Sequence, residues 1–252
     1  MATARPSARP EPARRSSRHR APAAARGVAI VGALLALPIL VLAAPRLISA
    51  LHLLPGSAAL ALVESGARPG EAGLHRAVEA QVTALRAMPR ADTHTDTALL
   101  AMALVDGVRL PAGQEAALRA VARHHVEEGL RLAPAQMRAW LMAATLDLAA
   151  SQPDAAARAL TLSFVANPHV PALGVSRWPM AMDLGAKLDR TTRERANLEF
   201  LSFFRRQPDA AVSVALRLDR LAELRALTDE DAVDQERLAR AVERIQYDWA
   251  GA

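Results

Sequence analysis

The residues of this chain that most resemble metal ligands are two adjacent histidines and two adjacent glutamates, His124-His125 and Glu127-Glu128. Such side chains bind zinc only when they converge on one point. On a helix, His124 and Glu128 share a face because they are four residues apart, whereas His125 points about 100° away. A metalloprotease helix instead has two histidines four residues apart with a glutamate between them. The spacing therefore predicts a solvated helix face and no metal site.

A second polar cluster, residues 92–97 (DTHTDT), places hydroxyl nucleophiles beside carboxylates. A nucleophile elbow needs a strand-turn-helix context with flanking glycines, which this segment lacks. We expect Asp92 and the threonines to cap the following helix instead. The phosphate-binding patterns GxxxxGK[ST] and GxGxxG do not occur, and the absence of cysteine excludes disulfides, thiolate metal sites and cysteine nucleophiles. The sequence predicts no catalytic residue and no cofactor, and therefore a protein that is not an enzyme.

Basic and aromatic residues in the second half of the chain form the candidate partner-binding group. Its members are Arg177, Trp178, Arg205 and Arg206. Arginine supplies paired donors and tryptophan a stacking face, which would suit an acidic polymer or a docking partner. Further arginines and several acidic residues are interleaved with them: Arg193, Arg195, Asp183, Asp189, Glu194 and Glu199. A salt-bridged helix surface is therefore the competing interpretation, and the aromatic residues at 178, 200, 203 and 204 are candidates for the core as well.

These residues are carried by a chain that begins with a basic tail and a long apolar run. Gly27–Pro45 contains nineteen consecutive uncharged residues. As a helix it would be about 28 Å long, close to the roughly 30 Å hydrocarbon core of a bilayer. Seven arginines and one glutamate precede it, and arginine beside a span is retained in the cytoplasm. The pattern predicts a single-pass inner-membrane protein with a cytoplasmic N-terminus and a periplasmic C-terminal domain.

The charge of the chain is concentrated in that tail. Residues 1–26 carry a net charge of +6, so the formal net charge of +5 leaves the remainder at −1. A nucleic-acid surface needs positive charge clustered on a folded domain, and we therefore expect no nucleic-acid partner. The tail is rich in Pro, Ala, Ser and Arg, which predicts disorder. It either contacts anionic lipid headgroups or serves only as a topology signal.

The apolar run has two alternative interpretations. Residues 41–43 (VLA) could precede a signal-peptidase cut, but signal h-regions usually have 7 to 15 residues, so we favour an uncleaved anchor. Gly32-x-x-x-Ala36 could pair two spans and make a homo-oligomer. The following segment, residues 46–69, remains apolar but is interrupted by Arg46 and Pro55. We expect it to be an interfacial helix or a juxtamembrane packing segment.

The remaining chain shows helical periodicity throughout. Apolar residues recur at spacings of three and four, as in Leu118, Val121, Val126 and Leu130, and no stretch alternates as a strand would. Prolines punctuate the runs. The sequence predicts an all-α protein, with helix pairs at 70–208 and two C-terminal amphipathic helices at 209–252 that are split near residues 228–229. The helix pairs would form either a solenoid or an irregular bundle.

Residues 92–168 resemble two tetratricopeptide repeats, whose period is 34 residues. Pro134 and Pro168 are 34 residues apart and close similar phrases, AVARHHVEEGLRLAP and AAARALTLSFVANP. The positions that match the family pattern in the two units are Ala122, Pro134, Trp140, Ala144, Ala156 and Pro168. The first unit departs from the pattern, having Asp106 in place of the tryptophan and Gly129 in place of an alanine, and in the second unit Asp147 replaces an aromatic residue. The resemblance implies an α-solenoid that binds an extended peptide or a partner helix.

After the repeat-like helix pair, Arg177-Trp178-Pro179 opens a helix, and a further helix with arginines and aromatic residues follows. This order of features is similar to that of single-span alphaproteobacterial proteins that accompany envelope polysaccharide genes, which implies a setting in envelope polysaccharide biosynthesis or export. We predict a non-catalytic periplasmic scaffold with a protein partner in an envelope complex, because a solenoid offers a concave face to extended ligands. Two other classes compete with it. One is a helical glycan-cleaving enzyme using a carboxylate such as Glu127, Glu128 or Glu199. The other is a structural dimer built through the span and the C-terminal helices.

Overall fold

The structure is a computed structural model that describes residues 23–64, 67–107 and 109–250, without the side chains of residues 23–31, 33, 112 and 248–250. These residues form helices and connecting turns without a strand, which confirms the all-α prediction. The helices are α1 (Ala23–Glu64), α2 (Glu71–Ala87), α3 (Ala91–Gly107), α4 (Ala112–Leu132), α5 (Met137–Ala149), α6 (Pro153–Ala166), α7 (Gly174–Leu184), α8 (Arg190–Arg206), α9 (Pro208–Arg217), α10 (Leu221–Thr228) and α11 (Ala232–Ala250). The chain forms two compact units, and the boundary between them lies between Pro45 and Arg46, within α1.

Helix α1 contains the apolar run. Among the described residues, its stretch Leu34–Glu64 is the one helical segment long and apolar enough to cross a membrane. The leucines at the start of this stretch are exposed, as a lipid-facing surface requires. Most of the predicted disordered tail, residues 1–22, lies outside the described residues. The last four tail residues, Ala23–Arg26, were expected to be disordered but belong to α1. Three of these four residues are alanine, the best helix former.

The second compact unit begins with the C-terminal half of α1, which is packed on one face. Ser49 and Ala59 are buried, and a Cβ on Gly56 would lie 2.8 Å from the Cα of Ala77 in α2. Glycine is needed there because a side chain would collide with backbone. The opposite face remains exposed and apolar, with Leu51 and Leu54 more than half accessible. One face of the predicted juxtamembrane segment is thus a packing surface.

Three successive helix pairs follow, α3–α4, α5–α6 and α7–α8. Within each pair a short connection joins helices that contact each other, the arrangement of an antiparallel helix hairpin. The alanines expected at the helix crossings, Ala122, Ala144 and Ala156, are fully buried in one core that extends from α3 to α8. Their small side chains let the helices approach closely, which explains why an alanine-rich sequence forms this core.

The pairs differ in length, which matters for the repeat resemblance. Helix α4 has 21 residues, whereas α6 has 14. Trp140 lies in the first turn of α5, while Asp106, which the 34-residue period equates with it, lies in the last turn of α3. The two positions are therefore not equivalent in the fold. The helix-pair order agrees with a solenoid, and the tetratricopeptide-like character stays a prediction.

The C-terminal helices share a core with the last pair. Trp178 of α7 and Phe200 of α8 lie in one cluster with Leu224 of α10 and Leu238 of α11, so no core boundary falls at residue 208. The predicted break near residues 228–229 is present, but a further break separates α9 from α10. It occurs at Asp219, whose φ is +54°, a left-handed conformation that aspartate tolerates better than most residues.

Candidate functional site

The second unit contains an open cleft of about 610 Å³. Its walls come from the first helix of each of the three pairs, α3, α5 and α7, together with the end of α1, the loop at residues 67–69 and the start of α2. No single stretch of sequence forms it. The cleft exists because three helix pairs stack side by side and leave their first helices facing a common space.

The floor of the cleft is apolar and adaptable. Leu99 and Met102 of α3 lie beside Leu141 and Met142 of α5, and Leu173 closes the side toward α7. Methionine has an unbranched and polarisable side chain, so a surface that contains it can adjust to differently shaped apolar ligands. An apolar cleft with a few polar groups at its edge is the usual form of a binding site.

A three-membered ion cluster ties this region together. One guanidinium nitrogen of Arg138, in the first turn of α5, donates to Glu64 Oε1 at 2.8 Å and lies 3.3 Å from Asp96 Oδ1. Burial raises the pKa of Asp96 to about 6, although Arg138 acts in the opposite direction. Glu64 and Arg138 line the cleft, and both are partly exposed. One cation is therefore shared by two carboxylates from two other helices.

Two charged residues on the lining have no ion-pair partner among residues 23–64, 67–107 and 109–250. Asp106 lies in the last turn of α3, and Arg68 lies on the loop between α1 and α2. Both side chains are exposed. In the sequence, Asp106 appears only as a departure from the repeat pattern and Arg68 belongs to no pattern, because an isolated charge near a glycine or a proline predicts no site.

Two members of the predicted partner-binding group are in the core, which corrects that prediction. Arg177 and Trp178 have no exposed surface, so neither can contact a partner in this fold. Arg177 forms an ion pair with Glu199 Oε2 at 3.0 Å and donates to the carbonyl of Ser163 at 2.7 Å. Its guanidinium also lies 4.5 Å from the ring centroid of Phe164, a cation–π contact.

Partners in the core offset much of the cost of burying these two side chains, although Nε of Arg177 and Nε1 of Trp178 have no hydrogen-bond partner among the described residues. Burial raises the pKa of Glu199, and the neighbouring Arg177 opposes that effect. The ring of Trp178 stacks on Phe200 with centroids 4.1 Å apart and planes 2° from parallel. The core interpretation of the aromatic residues is therefore the correct one, and Glu199 is removed from the candidates for a catalytic acid.

The other two members of the group, Arg205 and Arg206, are exposed near the end of α8. Arg205 pairs with Asp234 at 2.7 Å, and Arg206 donates to the carbonyl of Ser202 at 3.3 Å. The structure does not bring the four predicted residues together on one surface. The salt-bridged surface considered as the alternative describes Arg205 better.

The histidine cluster has a different structure from the one expected. His125 faces α3 rather than solvent, and its Nδ1 lies 2.9 Å from Nδ1 of His94. Burial lowers the pKa of His125 to about 4, and it lowers that of His94 as well. Glu128 pairs with Arg131 at 2.8 Å. Over the described residues, no group of three or more histidines and carboxylates is placed to hold a metal ion.

The threonine cluster is buried as well. Asp92 accepts a hydrogen bond from the amide of Thr93 at 2.9 Å within the first turn of α3, whereas Thr95 and Thr97 donate to carbonyls four residues earlier. The expectation that the threonines cap the helix is therefore wrong for these two, because their hydroxyls are satisfied inside it. Thr93, His94, Thr95 and Thr97 are buried where α3 packs against its neighbours, whereas Asp92 is exposed.

Comparison of the chain with protein-family models, with curated proteins and with solved structures found no match. The function must therefore be inferred from the cleft and the apolar helix themselves.

Proposed function

We propose that this protein is a membrane-tethered, non-catalytic adaptor whose cleft holds a segment of a partner protein. The observation that carries the proposal is the apolar cleft between α3, α5 and α7, which stacked helix pairs typically use to bind extended peptides or helices. The apolar stretch of α1 supports tethering. A cleft that only binds a partner needs no reactive group, which agrees with the prediction from the sequence that the chain has no catalytic residue.

We further propose a single inner-membrane span, a cytoplasmic N-terminus and a periplasmic second unit. The support is the arginine excess before the apolar run. A tetratricopeptide-like solenoid and a setting in envelope polysaccharide biosynthesis or export rest on the resemblances described above. Alkaline phosphatase fused after the C-terminus should be active, because it matures only outside the cytoplasm. A fusion active only as a cytoplasmic reporter would overturn this topology.

Site-specific photocrosslinking tests the adaptor role. A photoreactive amino acid replacing Met142, in the cleft, should capture a partner in intact membranes, and mass spectrometry should map the crosslink to one defined segment of it. The matched control is the same substitution at Val165 of α6, which is exposed and apolar but lies outside the cleft. Equal capture at both positions, or capture at Val165 alone, would contradict a role for the cleft.

A glycan-cleaving enzyme is the second candidate, and Asp96 is the observation that favours it. A glycosidase acid needs a raised pKa, and the pKa of Asp96 is about 6. The side chain does not line the cleft, however, so a substrate bound there would not touch it. Purified full-length protein should release no reducing ends from envelope glycan. Release that disappears in Asp96→Asn would replace the adaptor proposal.

A further inference from the structure

We infer that the partner segment is apolar along most of its length and carries a lysine or arginine that meets Asp106. This inference rests on the proposed function, since it describes what the same cleft would recognise. It comes from the charged side chains that line the cleft and from the helix ends beside them.

Asp106 is the first part of that distribution. It lies in the last turn of α3, and that turn contains no basic residue. The unpaired carbonyls at a helix C-terminus produce a partial negative charge, so a carboxylate there is repelled by its own helix. Among the described residues Asp106 has no cationic partner that would offset the repulsion. A basic side chain arriving from outside would be attracted by both the carboxylate and the helix end.

A second helix ends at the same cleft in the same way. Glu64 is the last residue of α1, whose last turn also lacks a basic residue. Its cation, Arg138, is shared with Asp96, and one guanidinium cannot neutralise two carboxylates. Glu64 and Asp106 line the cleft together with Arg68 and Arg138, so its lining carries equal numbers of acidic and basic side chains. Negative charge is concentrated where α1 and α3 end, because the carboxylates of Glu64 and Asp106 add there to the partial negative charge of each helix end. The apolar floor and the carboxylate of Asp106, which has no ion-pair partner in the described part of the chain, complement an apolar segment with a basic side chain.

Arg68 has the opposite charge to Asp106, so its removal is the matched comparison for the removal of Asp106. It also lines the cleft and has no ion-pair partner in the described part of the chain. If the partner carried an acidic residue instead, Arg68 would be its contact. Removing Asp106 and removing Arg68 should therefore have opposite effects on binding.

The experiment uses the full-length protein in nanodiscs of uncharged phosphatidylcholine, so that lipid charge does not attract peptides. A library of random 15-residue peptides is selected on it, and binding of the enriched peptides is measured by fluorescence anisotropy at low and high salt. We expect enriched peptides to combine apolar residues with lysine or arginine. Replacing that basic residue with glutamate should weaken binding more than tenfold, and salt should weaken binding because exposed charges are screened.

Variants then locate the contact. Asp106→Asn should weaken binding about fivefold to tenfold, the size expected for one charge-assisted hydrogen bond at a partly exposed site. Arg68→Gln should leave binding equal or tighter. Glu243→Gln removes an exposed carboxylate from α11, far from the cleft lining, and should change nothing. All three side chains are exposed, and circular dichroism melting confirms that each variant folds.

The outcomes separate the two proposals. Enriched peptides that crosslink to position 142 but are acidic, or are insensitive to Asp106→Asn, would overturn the basic-residue inference and leave the adaptor role standing. Peptides that never crosslink to position 142 would overturn both.

Discussion

Arg177 and Arg138 each link helices through ion pairs, but one is buried and the other is partly exposed. Arg177 is fully buried, faces one carboxylate and also donates to backbone carbonyls. Arg138 is partly exposed and divides one nitrogen between Glu64 and Asp96. The first arrangement is closed, because every partner comes from the core. The second is open, because the charges around it are not balanced within the described chain.

The burial of the two clusters indicates which of them stabilises the fold and which is accessible to a ligand. A buried ion pair costs desolvation and is tolerated only when its geometry is well satisfied. At the edge of a cleft, a carboxylate without a full counter-charge costs less, because water solvates it and a ligand can pair with it. Arg177 therefore belongs to the core, and we propose that binding occurs at the cleft that Arg138 lines.

The largest expected effect comes from breaking the closed arrangement. Glu199→Leu leaves the guanidinium of Arg177 buried without its counter-charge, which should lower the free energy of unfolding by about 3–5 kcal/mol. Urea denaturation of the full-length protein in detergent measures it. The double variant Arg177→Met with Glu199→Leu should recover most of the loss, since two apolar side chains replace the pair. No recovery would mean that the ion pair itself, and not the orphaned charge, determines stability.

The pH dependence of stability should separate the histidine contact from the ion cluster of Arg138, Glu64 and Asp96. The pKa of His125 is about 4 in the fold against 6.5 for the free side chain. The contribution of neutral His125 to stability is therefore fully present above pH 6.5 and is lost as the pH falls toward 4. Asp96 acts oppositely, because its folded pKa of about 6 lies above the ordinary 3.8 and protonation favours the folded state. Between pH 7 and pH 4 each group changes the free energy of unfolding by about 2–3 kcal/mol, in opposite directions.

The two contributions oppose each other, so single variants should reveal them. Asp96→Asn should lose more stability on acidification than the natural chain, and His125→Gln should lose less. Thermal unfolding at pH 7, 5.5 and 4 provides the comparison. Identical pH profiles for all three proteins would show that neither group titrates as its burial requires.

The smallest expected effect comes from breaking the open arrangement. Arg138→Met should lower the free energy of unfolding by about 1 kcal/mol or less, because a partly exposed ion pair gains little over hydration. The same change should alter photocrosslinking from position 142, since it removes a cation from the cleft lining. A loss as large as that of Glu199→Leu would mean that Arg138 is structural as well, and the distinction between the two clusters would fail.

Local patterns were sufficient for the fold class. Helical periodicity predicts the helices, and the spacing of Ala122, Ala144 and Ala156 anticipates three fully buried crossings. The N-terminal helix follows from length and composition alone. These features depend on residues close in sequence, which is why a single sequence reveals them.

The cleft depends on residues far apart in sequence. Glu64 and Arg138 are 74 positions apart, and His94 and His125 are 31 apart. Nothing near Arg177 indicates that its counter-charge, 22 positions away, will enclose it. The sequence does not distinguish a solvated charged side chain from one that is buried in an ion pair or one without a counter-charge. The packing of the helices determines which of these environments the side chain has.

The contact between His94 and His125 also fixes where one hydrogen atom sits. At a separation of 2.9 Å the two Nδ1 atoms must share a single proton, because two would collide and none would leave two lone pairs facing each other. When both rings are neutral, one is protonated at Nδ1 and the other at Nε2, so the fold imposes different tautomers on two chemically identical side chains. Nitrogen NMR should record that asymmetry as two distinct imidazole patterns, a direct signature of the α3–α4 interface.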